Sequence, residues 1–357
     1  MSPLSDYLFA GAVRLRVRGN GRVLRHFDAE YGEAAAPAGD PDVDVRIRWG
    51  TRLDPIPGGS VVTGGHKSAR WRVALGPPDE SPLRAELALA GGPPSFTLSL
   101  VQGYFVEALV AVALARAGLV ALPSAAFAAA DGATVLLGRS GAGKTTMTAR
   151  ALAAGRTVLS DDQVVIDRAG RVWRYPRRLR FYPDIRETVP EAWARLRPGT
   201  RAALVRRGWL RRLTGGFVAP SLAVPTSEIG ATVQRTPLPL RRLVVAARSD
   251  ATQFTVTVRE PAWVVDQAGL VLTDQRSRIS RKVGPTWARA LDDVQAAEQR
   301  TLVAALADVP TTEVVLPTTW GARQSVDALE GQIGLTTARA TPVRTMPHVE
   351  QPPVHVP

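Results

Sequence analysis

The chain contains no cysteine, which excludes disulfides and thiolate metal sites and fits a reducing compartment. Lysine is nearly missing: of 45 basic residues only Lys67, Lys144 and Lys282 are lysines. No basic segment precedes an apolar stretch at the start, so no export signal is readable. Long apolar runs are also wanting, because the most apolar window, 106–130, is broken by Glu107, Arg116 and Pro123. These absences predict a soluble, cytoplasmic protein with no membrane partner.

What is present is ample apolar material and positive charge. With 357 residues and 45% hydrophobic content, the chain can bury one large core or two moderate ones. A net charge of +13 suits an acidic ligand or partner, nucleic acid among them. Arginine, alanine, glycine and proline are all abundant, so the charge identifies no partner, and stretches such as 206–213 also read as solvated faces.

The first hundred residues read as β-rich. Segments 13–19, 42–49, 70–75 and 85–90 alternate apolar and polar side chains, as an antiparallel sheet covered on one side requires. Asn20-Gly21 reads as a hairpin turn. Residues 101–119 switch to helical spacing with nearly every position apolar, predicting a helix buried almost all round and closed by Gly118. A strand, glycine-rich loop, helix and strand follow over 120–167, then a hairpin over 163–176 turning at Ala169-Gly170. Residues 185–230 are rich in Arg, Pro and Gly and lack clear periodicity, which predicts a lid or an insertion. Strands over 241–248, 253–260 and 312–317 and helices over 286–307 and 322–333 complete the pattern. The division expected is a β-rich region 1–100, an α/β nucleotide-binding region 101–337 (α+β overall for the chain) and a disordered Pro-rich tail 338–357.

Gly138, Gly143, Lys144 and Thr145 match G-x-x-x-x-G-K-[ST] between a strand at 133–137 and a helix at 145–154. The expected nucleotide contacts are Gly138, Arg139, Ser140, Gly141, Ala142, Gly143, Lys144, Thr145 and Thr146. Glycines let backbone N–H groups approach phosphate oxygens where a Cβ would obstruct them. The helix start directs its positive end at the same charge. Lys144 supplies a mobile cation, and the Thr145 hydroxyl is placed to ligate Mg²⁺. Asp161 lies seventeen positions after Lys144, the length of a strand–helix–strand crossover, so Asp161 and Asp162 are expected beside the bound phosphates of ATP. One carboxylate, assigned here to Asp162, can hold Mg²⁺; a second can accept the proton of an incoming hydroxyl. The alternative for Ser160-Asp161-Asp162 is a turn or cap with one functional Asp.

The segments LLGRSGAGKTT (136–146), GRTVLSDDQVVI (155–166) and, more loosely, GRVWRYPRRLRFYP (170–183) resemble the HPr kinase/phosphorylase family, within the phosphoenolpyruvate-carboxykinase-like P-loop domains. Gly138, Ser140, Gly141, Gly143, Lys144, Thr145, Asp161 and Asp162 match its motifs position by position. The likeness is strong over 130–185, faint over 240–335 and nearly nil over the first hundred residues. It implies a serine kinase that uses ATP and Mg²⁺, with the Asp pair as base and metal contact; hexamers in the family suggest a homo-oligomer. The family's histidine before the loop is replaced here by Pro123 or Ser124, and the phosphorylase signature is not found. A kinase of the biosynthetic-cluster type, such as those phosphorylating lasso peptides, is implied, acting on a hydroxyl of a peptide, protein or small molecule. His26, His66, His348 and His355 read as surface residues. Arg177, Arg178 and Arg180 are candidate phosphate or acceptor clamps, and 201–213 is a candidate docking lid. The competing reading is a P-loop ATPase or nucleotide-gated binding module, with nucleic acid as its ligand; neither a transporter signature (LSGGQ) nor a GTPase element (N-K-x-D) is present.

Overall fold

In the computed structural model the described residues are 3–139, 141–218, 221–225, 228, 234, 236–280 and 283–333. The tail expected to be disordered lies outside them. The chain is a mixed α/β molecule with two large mixed sheets.

The first sheet uses β1 (Leu4–Phe9), β2 (Val13–Arg18), α1 (Gly21–Tyr31), β3 (Ala35–Ala36), β4 (Val43–Trp49), β5 (Ser60–His66), β6 (Ala69–Leu75) and β7 (Leu83–Ala90). Its strand order is β3-β1-β2-β4-β7-β6-β5. Alternation works as expected: Val13, Leu15 and Val17 are buried, while Arg16 and Arg18 on the opposite face pair with Asp6 at 2.8 Å and Asp44 at 2.9 Å. Two expectations fail here. Asn20 caps a helix instead of turning a hairpin, its Oδ1 accepting from the Arg22 and Val23 N–H groups at 3.1 Å. Val23, Phe27 and Tyr31, spaced by four, are all buried, and that stripe outweighs the Asn-Gly turn signal. Because α1 carries the chain back across the sheet, β2 and β4 are parallel; β4 and β7, joined through β5 and β6, are parallel too, so the sheet is mixed.

Behind this sheet runs a continuous helix, α2 (Pro94–Val101), widened by a π-turn at Gln102–Val106 and continued as α3 (Glu107–Arg116). By length and composition it could cross a membrane, which corrects the expectation that no such segment exists; here 67% of its most apolar window is buried. Gly118 (φ +75°) ends it. The helix core is continuous with Leu119, Ala121, Val165 and Tyr175 and with Trp287, Leu291 and Val294, so the apolar interior does not stop at residue 100.

The remaining elements are β8 (Leu119–Leu122), β9 (Ser124–Ala129), β10 (Gly132–Gly138), α4 (Lys144–Ala153), β11 (Val158–Ser160), β12 (Val164–Asp167), β13 (Arg171–Arg174), β14 (Leu179–Phe181), α5 (Ile185–Thr188), α6 (Pro190–Arg195), α7 (Pro198–Leu213), β15 (Leu222–Val224), β16 (Leu238–Ser249), β17 (Thr255–Val258), α8 (Pro261–Ser280), α9 (Pro285–Leu306), β18 (Thr311–Pro317) and α10 (Ala322–Ile333). The second sheet has the order β11-β9-β10-β16-β13-β12-β8, and β18 pairs with both β16 and β17. Strands β10, β16 and β18 are mutually parallel. Helices α4 and α10 cover one face, through Met147, Leu152, Val326 and Leu329. On the other face lie α8 and α9, through Val264, Ala268, Leu272 and Leu302. The predicted hairpin of β12 and β13 forms as expected. Helix α8 is missing from the sequence reading because its apolar positions give only a weak one-sided stripe. The irregular segment 185–230 contains α5, α6, the sixteen-residue α7 and β15, which pairs with β14.

Candidate functional site

Every residue of β10 is buried, so the strand delivers Gly138 rigidly to the sheet edge. A Cβ on Gly138 would stand 2.7 Å from Ala142 Cβ and 2.8 Å from Ala246 O, so only glycine lets the loop fold down there. Gly141 (φ +87°) and Gly143 (φ +93°) take left-handed conformations that L side chains rarely adopt. Ala142 is buried beneath the loop, Arg139 is exposed, and Thr145 and Thr146 lie half-buried on the first turn of α4. Ser140 lies outside the described residues. Among the described residues no side chain caps α4 and no acid lies in its first turn, so the positive end of the helix is open to an anion. The Lys144 ammonium folds back over the loop, donating to the carbonyl oxygens of Gly138 and, at 3.1 Å, Arg139. Burial pushes its pKa down, and the charges of Asp162 and Asp161 push the other way.

Those carboxylates arrive by topology. Strands β10 and β11 both run antiparallel to β9, so they are parallel to each other with one strand between them. Leu137 pairs with Ser124 and Ser160 with Ala126, placing the ends of both strands at one edge. Ser124 is buried and donates its hydroxyl to Leu122 O at 3.1 Å.

The two aspartates differ. Asp161 is 1% exposed and accepts the Arg180 N–H through Oδ2 at 2.9 Å. Its pKa is pushed up to about 7, first by burial and then by the charge of Asp162. Its neighbour Ser160 accepts the Gln163 N–H at 3.4 Å. Asp162 has a side chain 49% exposed and is held by Arg177 Nη1 at 3.0 Å. The turn-forming role and the outward carboxylate therefore coexist, on different residues.

Arg177 is partly buried between Asp162 and Glu107, whose Oε2 lies 3.4 Å away. Glu107 Oε1 accepts from Tyr31 OH at 3.0 Å and from Gln102 Nε2 at 2.9 Å. His26 Nε2 meets Gln102 Oε1 at 2.8 Å. His26 is therefore half-buried and partnered instead of freely solvated; burial lowers its pKa. Arg178 pairs with the buried Glu30 at 3.0 Å, and Arg180 approaches the same oxygen at 3.9 Å. Their two charges, with that of Arg177, hold the Glu30 carboxyl below its usual range despite burial. The sequence reading missed Glu30, Tyr31, Gln102 and Glu107. A signal existed for two of them: Gln102 and Glu107 are polar residues inside an otherwise apolar helix, which demands partners.

No protein-family model matches the chain, and no curated protein matches it.

Proposed function

We propose that this chain is an ATP- and Mg²⁺-dependent kinase with an HPr-kinase-like P-loop core, transferring the γ-phosphoryl group to a serine or other hydroxyl. The observation that carries this reading is the meeting of Lys144 with Asp161 and Asp162 at one sheet edge, close enough for the ammonium to feel both carboxylates. The loop glycines and the uncapped start of α4 fit a polyphosphate. Lys144 would exchange its two carbonyl partners for phosphate oxygens. Thr145 would hold Mg²⁺, which neutralises charge on the transferring group, and Asp162, expected as a metal contact, is left free of the metal to act as base.

The half-exposed Asp162 faces the solvent from which an acceptor must come, so it takes the hydroxyl proton as the acceptor oxygen bonds to Pγ. The bond from Pγ to the bridging oxygen breaks, and ADP leaves. Arg177 orients Asp162. Asp161, too buried to touch an acceptor, pins the Arg180 backbone and shares the charge of the pair.

Lys144→Ala tests the reading. It should weaken binding of Mg·ATP in isothermal titration and lower turnover of γ-labelled ATP by about a hundredfold or more, since the ammonium stabilises the transferring group. A wild-type protein that binds no ATP would end the proposal. ATP hydrolysis with no label passing to any hydroxyl acceptor would favour the ATPase reading instead.

A further inference from the structure

Helix α7 presents its apolar side chains to solvent. Val205, Trp209 and Leu213 recur every four residues on one stripe, and Trp209 is 60% and Leu213 78% exposed. Phe217, past the helix end, is also exposed. Arg201, Arg206 and Arg212 flank it, and no acidic residue occurs anywhere from 192 to 218. The buried side of α7 offers only Leu204 to the core. A helix whose larger apolar face looks outward, between arginines, is built to be covered by something apolar and anionic.

Its position says what that something serves. A Cβ on Gly208 would lie 3.3 Å from Pro183, so α7 lies against the segment that follows Arg180. Arg207 is near enough to Arg180 for their charges to oppose each other. At its far end, Lys67 of the first sheet lies over the Phe217 ring at 4.8 Å and donates to Phe217 O. From Val205 to Leu213 the stripe runs about 12 Å along the helix, on an element that reaches from the first sheet's edge to the vicinity of Arg180, whose backbone Asp161 holds. Nucleic-acid bases would stack on Trp209 but leave the aliphatic Val205 and Leu213 without a matching surface, which disfavours nucleic acid. A membrane would cover them but would leave Arg180 and Arg207, next to the transfer site, without a role.

We infer that α7 docks an acidic, amphipathic polypeptide segment of the phosphate acceptor, with Val205, Trp209 and Leu213 taking its apolar side chains and the flanking arginines its carboxylates. This rests on the kinase reading and names the class of acceptor. The acceptor's hydroxyl would then reach Asp162 while its neighbouring acids lie along Arg206, Arg207 and Arg180.

The test uses a fluorescein-labelled synthetic peptide with leucines every fourth residue, glutamates between them and one serine near an end. Anisotropy is read with wild type, with Trp209→Ala/Leu213→Ala and with Asp162→Asn. The exposed double variant should keep the wild-type melting curve and bind the peptide about tenfold or more weakly, as loss of an aromatic anchor does. Asp162→Asn should bind it normally, and a lysine-for-glutamate peptide should not bind. Equal binding by wild type and the double variant overturns the inference. So does tighter, Trp209-dependent binding of phosphatidylglycerol vesicles or of single-stranded RNA. Docking of the peptide without transfer of label to it would leave the docking surface standing and remove the kinase reading. Transfer to the peptide's serine at the same rate in the double variant would do the reverse.

Discussion

Asp161 is the residue on which local physics is sharpest. Its carboxyl titrates near 7 in the folded chain, against about 4 for an unfolded aspartate. Between those values the native state holds a proton that the unfolded state has released, so stability falls as pH rises from about 4 to about 7 and levels off above. Glu298, also pushed up to about 7 by burial in spite of Arg276, acts in the same direction. His26, whose pKa burial lowers, acts the other way as pH falls, but with two carboxyls against one imidazole thermal melting should be higher at pH 5 than at pH 8. Asp161→Asn, which keeps an acceptor for the Arg180 N–H, should narrow that gap while Glu298 maintains the rest. An unchanged gap in the variant would show that Asp161 is ionised without penalty. At this scale the sequence was informative about residue types and silent about their orientation: two adjacent aspartates look alike on paper, and only the backbone partner of one separates them.

At the scale of elements, the loop between β10 and α4 depends on backbone approach. Gly138→Ala would drive a methyl into Ala142 and the Ala246 carbonyl. It should cost about 1–3 kcal/mol, the usual range for overpacking, and should weaken Mg·ATP binding as the loop is displaced. Calorimetric melting and nucleotide titration check both; a variant with native stability would mean that the loop is looser than its geometry indicates. Elements with one strong periodicity were legible: β2, β4, β6, β10, the β12–β13 hairpin, α9 and, over 101–116 of its 94–116 span, the buried helix. Those governed by competing signals were not. Asn20-Gly21 satisfies a hairpin turn and a helix cap equally well, and only the buried Val23–Phe27–Tyr31 stripe decides. Strand β9, between β10 and β11, could not be placed, because strand order depends on pairings remote in sequence.

For the whole molecule, the consequential feature is the shared interior. Trp287 of α9 is 2% exposed, packs in the core of the first sheet and donates Nε1–H to Gly76 O at 2.9 Å. The Arg177–Glu107–Tyr31 network adds a polar link between the same regions. Trp287→Ala should cost about 3–5 kcal/mol and shift one cooperative unfolding transition, since both sheets lean on that side chain. Two separate transitions, with only one displaced, would show that the sheets melt independently. Such long-range coupling was out of reach of the sequence: Tyr31, Glu107 and Arg177 stand in three segments with different periodicities, and their partnership exists only after folding.

The central claim is that a polyphosphate cradle and an outward carboxylate converge on one phosphoryl group. Its most direct measurement compares wild type and Asp162→Asn for Mg·ATP affinity and for single-turnover transfer of a γ-label to a serine acceptor. The account predicts nucleotide affinity within a few-fold of wild type and transfer slowed by about a hundredfold or more, the contribution of a positioned base. Transfer at the wild-type rate in Asp162→Asn would contradict it.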